Sequence, residues 1–207
     1  MKIKGFSLGQ LGTNCYIVWE SNKALIIDPG AEPSVVKNWL EEHNIQPLAI
    51  LLTHAHFDHI GGVDTLRDYY HIPVYLHENE QEWMGNPRLN GSALFPVEDI
   101  VARASDEFLA AGKMKLDLFQ FEIRYTPGHS PGGVSFIFPK EKLVVSGDCL
   151  FAGGIGRTDL PEGNQTQLLT SIKNELYTLG NSYKVYPGHG PTTTIENEKK
   201  NNPFVKP

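Results

Sequence analysis

Short apolar runs of strand length, interleaved with segments of helical period, predict an α/β protein whose sheets are covered by helices. Three observations carry this. Leu48 to Leu52 is an unbroken apolar run, as expected of a strand with both faces covered. Val35, Val36, Trp39 and Leu40 recur at helical spacing behind Pro33, which suits a first helical position. The alternation returns in the second half of the chain, and no compositional linker or repeat divides the halves. The 207 residues therefore read as one domain, 1–207.

The elements follow in order. Cys15–Trp19 and Ala24–Ile27 read as strands joined by a turn at Ser21-Asn22. The helix after Pro33 leads to the strand at Leu48–Leu52. A second helix follows Gly61-Gly62 through Val63, Leu66 and Tyr70, and Pro73 to Leu76 form a short strand. From Gly85 to Gly112 the periodicity weakens and turn residues accumulate. Met114–Leu118, Phe121–Tyr125, Val134–Phe138 and Leu143–Val145 read as strands. Leu168, Leu169, Ile172, Leu176 and Leu179 mark a helix, and Tyr183–Tyr186 a last strand.

A net charge of −6 argues against nucleic acid as the main partner, because phosphate binding needs a basic footprint. A local basic pocket for a small anion stays open. Cys15 and Cys149 are too few for a disulfide framework and fit a reducing compartment. The segment Met1–Ser7 lacks the apolar core of an export signal, and no stretch approaches the ~20 apolar residues of a membrane span. A cytoplasmic protein that engages no membrane is expected.

Polar clusters appear where the apolar runs stop. Leu48–Leu52 runs into Thr53-His54-Ala55-His56-Phe57-Asp58-His59, and Phe121–Tyr125 into Thr126-Pro127-Gly128-His129. Leu143–Val145 runs into Ser146-Gly147-Asp148, and Tyr183–Tyr186 into Pro187-Gly188-His189-Gly190. Ligands collect at the carboxyl ends of strands in helix-covered sheets, so four segments could converge on one edge.

His54 and His56, two apart in extended backbone, project to one side and could grip one cation. Asp58 and His59 are adjacent and are free to face a second. Gly61 and Gly62 remove bulk where the backbone turns behind the site. His129 and His189 each follow a Pro-Gly pair that fixes a sharp turn, and Asp148 has two oxygens with which to bridge. Imidazole and carboxylate suit zinc, and also iron or manganese. Two divalent ions on this set leave a net positive cluster that would draw an anionic or carbonyl-bearing substrate. His43, His71 and His77 read as ordinary surface or core histidines.

Thr53 to His59, Thr126-Pro127-Gly128-His129-Ser130, Gly147-Asp148 and Gly188-His189 closely resemble the motifs of the metallo-β-lactamase-fold hydrolases. Thr13-Asn14-Cys15-Tyr16 and Gly156-Arg157-Thr158-Asp159 are similar to segments of the glyoxalase II (hydroxyacylglutathione hydrolase-like) group, and the motifs run in the expected order from residue 13 to residue 191. The resemblance implies a four-layer αββα sandwich of two mixed sheets. It implies that His54, His56 and His129 hold one metal, that Asp58, His59 and His189 hold another, and that Asp148 bridges them. It further implies hydrolysis of small thioesters by attack of a metal-bound hydroxide, with Asp58 orienting the nucleophile. The chain departs from two-domain glyoxalase II enzymes by ending about eighteen residues after His189, without their C-terminal helical region. Glutathione recognition therefore does not carry over with the metal chemistry.

Asp28, in Asp28-Pro29-Gly30, reads equally as a support behind the ligands and as part of an ordinary turn. Arg157 and Asp159 could meet a substrate carboxylate, but a structural ion pair is the preferred reading. Gly153-Gly154-Ile155-Gly156 reads as a tight turn and Cys149 as a small buried residue. Asn86-Pro87-Arg88-Leu89-Asn90 and Phe95 are candidates for covering the pocket. Two alternatives stand beside the thioester hydrolase. One is a mononuclear-iron persulfide dioxygenase, whose family shares the Gly-Arg-Thr-Asp segment; the other is a non-catalytic metal-binding scaffold.

Overall fold

The computed structural model describes all 207 residues, Met1–Pro207. Two compact units are distinguished within the chain, Met1–Leu109 and Ala110–Pro207. Each is built on a mixed six-stranded sheet.

In the first unit β1 (Lys2–Leu8), β2 (Thr13–Glu20) and β3 (Lys23–Ile27) form an antiparallel meander. Helix α1 (Pro33–Glu42) then returns the chain so that β4 (Gln46–Leu51) lies parallel to β3. Two further helices, α2 (Phe57–Ile60) and α3 (Val63–Tyr70), precede β5 (Val74–His77), which adds parallel to β4. The edge strand β6 (Glu107–Leu109) pairs parallel to β5. Ile17, Ile26 and Ile50 from the sheet, and Leu52 just beyond it, cluster with Val36 and Leu40 of α1 and Val63 and Leu66 of α3. Full burial of each such side chain is worth roughly 1.5–3 kcal/mol, and it is this packing that holds the short helices.

In the second unit β7 (Gly112–Leu116) and β8 (Phe119–Tyr125) form a hairpin, and β9 (Val134–Phe138) and β10 (Leu143–Gly147) extend it antiparallel. A small hairpin, β11 (Leu150–Phe151) and β12 (Gly154–Ile155), follows. Asn164 caps α4 (Gln165–Ser171) by accepting from the Gln167 amide, and the helix continues as a π-wound segment at Ile172–Leu176. Strand β13 (Lys184–Pro187) lies parallel to β10, and β14 (Thr193–Thr194) and α5 (Ile195–Asn201) close the unit. Ile137, Val144, Leu168, Ile172, Leu176, Val185 and Ile195 share one buried cluster.

Sequence periodicity missed β1, α2, β6, β11, β12, β14, α5 and the 3-10 segment Glu78–Gly85, and it ran past the ends of β4 and β7, at Leu52 and Leu118. Leu118 belongs to the turn between β7 and β8, where Asp117 adopts φ 52°. No helix is long and apolar enough to cross a membrane.

Candidate metal centre

The first unit contributes one group of ligand-type side chains. Strands β3 and β4 are parallel and in register at Ile27 and Leu51, so they leave the sheet side by side. Asp28 emerges from β3 with φ 51°, a left-handed conformation that aspartate tolerates. Its carboxylate accepts from the Thr53 amide at 2.7 Å and the Thr53 hydroxyl at 2.6 Å. His54 and His56 follow, rings at right angles with centroids 4.9 Å apart. The chain then winds into α2, which carries Asp58 and His59. The His54 and His59 rings approach to 4.0 Å. Ligand atoms of His54 and His56, of His54 and His59, and of Asp58 and His59 lie within 4.8 Å of one another. All three histidines are buried.

The turn behind this group explains its glycines. A Cβ on Gly62 would sit 2.6 Å from the Pro29 carbonyl oxygen, and one on Gly61 would collide with that of Gly30. A Cβ on Gly30 would in turn collide with the Asp58 carbonyl. The requirement is close backbone approach, since Gly61 itself has ordinary helical angles.

Contacts made by Nδ1 decide which ring nitrogen faces a possible cation site. Thr53 commits its hydroxyl proton to Asp28, so its oxygen accepts from His54 Nδ1, 3.0 Å away. His59 Nδ1 faces the other side of the network, 3.1 Å from Asp28 Oδ2. Nε2 is thereby the nitrogen of each ring that could meet a cation.

The second unit contributes the other group. β10 and β13 are parallel with Gly147 opposite Pro187, and the Gly188 amide donates to the Gly147 carbonyl at 2.8 Å. Asp148 and His189 therefore emerge together, with Asp148 Oδ2 3.4 Å from His189 Nε2. Strand β8 runs in the direction of β10, two antiparallel pairings away, and delivers His129 to the same edge, its Nε2 3.5 Å from Asp148 Oδ2. Gly128 makes this possible. Its φ is 128°, and a Cβ there would strike the backbone of Leu168 in α4. His129 Nδ1 donates to the Arg157 carbonyl at 2.7 Å, again leaving Nε2. Arg157 contributes its backbone here, while its side chain turns outward into a two-pronged pair with Asp159 at 2.7 and 2.8 Å. That pair holds the Asp159 carboxyl down at about 2.

The remaining candidates fall elsewhere. His43 stacks on Trp39, His71 ends α3, and burial lowers the pKa of His77 at the end of β5. Gly153 turns the β11–β12 hairpin. Cys149 is buried, and desolvation pushes its thiol up to about 12, far from a nucleophile's range. The Asn90 carbonyl accepts from the Phe57 amide, and the Phe95 ring lies 5.3 Å from that of Phe57, so this segment packs on α2.

Sequence reasoning missed three supports. Thr13 Oγ1 donates to Asp58 Oδ2 at 2.6 Å. Thr53 links Asp28 to His54. Glu80, wholly buried, accepts from the Ala55 amide between His54 and His56. The available signal was a threonine at the head of an apolar strand face; Glu80 sits in a segment whose other acidic residues, Glu78 and Glu82, are exposed, and nothing in the sequence singles it out.

A family model described as the metallo-beta-lactamase superfamily matches residues 8–189. The chain belongs to that superfamily. It has the superfamily's α/β fold, with two mixed sheets and flanking helices. It is 45% identical to the probable metallo-hydrolase YqgX of Bacillus subtilis, over 99% of this chain and 98% of the relative. It is 37% identical to hydroxyacylglutathione hydrolase GloC of Haemophilus influenzae, over 93% of this chain and 92% of that protein. Among solved structures, BLEG-1 B3 metallo-beta-lactamase matches all of both chains at 44% identity and a TM-score of 0.96. TTHA1623 in a di-iron-bound form matches 98% of this chain and all of its own, at 39% identity and a TM-score of 0.87. The chain thus groups with probable metal-dependent hydrolases of the superfamily. Its own donors fit divalent cations: five imidazoles, three with Nδ1 already engaged, and two carboxylates are the nitrogen and oxygen ligands that zinc, iron or manganese take.

Proposed function

We propose that the chain hydrolyses small thioesters at a pair of divalent ions, glutathione thioesters among them. In this reading His54, His56 and His129 hold one ion, Asp58, His59 and His189 hold the other, and Asp148 bridges them. The observation that carries the substrate class is the 37% identity to the hydroxyacylglutathione hydrolase GloC, a protein of nearly matching length. The di-iron form of TTHA1623 supports two ions.

Bound divalent ions supply an acidified water and polarise the substrate carbonyl. With the ions held, Asp58 would orient the attacking water. His54, His59 and His129 keep their Nε2 lone pairs for coordination because Nδ1 is engaged elsewhere. Hydrolysis forms a C–O bond and breaks the C–S bond. A thiol with an ordinary pKa near ~8.5 leaves as thiolate and takes its proton from solvent, so no strong general acid is required.

The likeness to BLEG-1 B3 metallo-beta-lactamase favours a second reading, hydrolysis of a β-lactam amide. Elemental analysis of purified protein, with assays on S-lactoylglutathione, β-lactams and a persulfide with oxygen uptake, separates the readings. We expect two metal equivalents per chain, and thioester cleavage lost on chelation and restored by metal. One iron with oxygen uptake would point to a dioxygenase, β-lactam turnover alone to the second reading, and bound metal without turnover to a scaffold.

A further inference from the structure

Thr13 heads β2 on the strand face that also carries Cys15 and Ile17, both wholly buried. Side chains two apart share a face, so this is an apolar surface with one hydroxyl at its end. A buried hydroxyl needs a partner inside the protein. Thr13 is 2% exposed, and its Oγ1 donates to Asp58 Oδ2 at 2.6 Å, a short bond to a charged acceptor 45 residues away in sequence. The hairpin tip that presents it is tied down. Ser7 Oγ donates to the Gly12 carbonyl at 3.1 Å, the Gly9 amide donates to Glu32 Oε2 at 2.9 Å, and Leu8 pairs with Thr13 in register. Asp58 Oδ2 also lies 3.6 Å from His59 Nε2, so the hydroxyl grips the carboxylate at the point where it meets the neighbouring ligand.

We propose that Thr13 is a positioning residue for Asp58, holding its carboxylate in one orientation beside His59 so that the second ion meets a fixed ligand. This rests on the reading of Asp58 and His59 as ligands of one ion. A hydroxyl that merely satisfied the end of β2 would matter to the stability of the metal-free protein and not to the ion.

Thr13→Val keeps the shape and removes the donor, while Thr13→Ser keeps the donor and removes the methyl group. The metal-free proteins are melted, then titrated with zinc against a chromophoric chelator, and kcat and KM are measured on the thioester. We expect Thr13→Val to weaken one of two zinc affinities by about 10–100-fold, the range for groups that orient metal ligands. The other affinity stays unchanged, kcat falls more than KM changes, and Thr13→Ser recovers most of the loss. Should Thr13→Val not fold, Thr13→Ala carries the same comparison. Two unchanged zinc affinities in the valine variant, or a serine variant as weak as valine, would overturn the proposal. Wild-type protein that cleaves no thioester, with the valine variant still losing one ion, would sink the substrate reading and leave the Thr13 inference standing. Wild-type protein that binds a single zinc would sink both.

Discussion

Asp28 organises two imidazoles through one carboxylate, His59 at 3.1 Å and His54 through the Thr53 hydroxyl. Asp28→Asn is the informative change, because asparagine also accepts a φ near 51° and the turn survives. We expect metal affinity to fall by about 10–100-fold, with the circular dichroism spectrum unchanged; wild-type affinity in a folded variant would count against the anchoring role. From sequence alone Asp28 was ambiguous, since Asp-Pro-Gly serves ordinary turns as well as anchors. What resolves it is the parallel pairing of β3 with β4, which brings Thr53 alongside. Thr13 and Glu80 were hidden for the same reason: their partners lie 45 and 25 residues away, and spacing in a single sequence does not show pairing.

At the scale of elements, the clearest strands in advance were those whose apolar runs are buried on both faces, such as Ala24–Ile27 and Val134–Phe138, while the one-sided β8 was legible from its alternation. Strand β1 escaped because it is an edge strand with mostly exposed residues and a central Gly5. Helix α5 escaped because Ile-Glu-Asn-Glu-Lys-Lys-Asn buries only Ile195 and Glu198. The glycines behind α2 were legible as a tight turn, but their partner, the Pro29-Gly30 backbone, was not. This predicts an asymmetry between glycines. Gly61→Ala forces its Cβ into the Gly30 carbonyl and should cost about 1–3 kcal/mol of unfolding free energy. Gly154→Ala meets only Phe151 side-chain atoms at 3.6 Å or beyond, and should stay within about 0.5 kcal/mol of wild type. Denaturant melts of the two variants test the difference.

Across the whole molecule each unit holds one buried free thiol, Cys15 in the first and Cys149 in the second. Burial raises both pKa values, that of Cys149 from 9.0 to about 12. The unfolded chain therefore ionises first, and stability should fall as pH rises above 9.0, over a window reaching about 12 for Cys149. Native protein should be inert to a thiol reagent at pH 8 and yield two reactive thiols in denaturant. Because each thiol belongs to one unit, labelling rates read the opening of each separately. The contacts that hold His54, His59 and His129 carry a further consequence for how folding and metal uptake relate. These rings are immobilised by carboxylate, hydroxyl and carbonyl groups of their own unit, so the entropy of ordering them is settled when the unit folds, at about 0.5–1.5 kcal/mol for each side chain. In small zinc domains the cation creates the fold and its removal destroys it. Here the mould would be cast before any cation arrives, and we expect chelation to leave the far-UV circular dichroism spectrum of the protein unchanged.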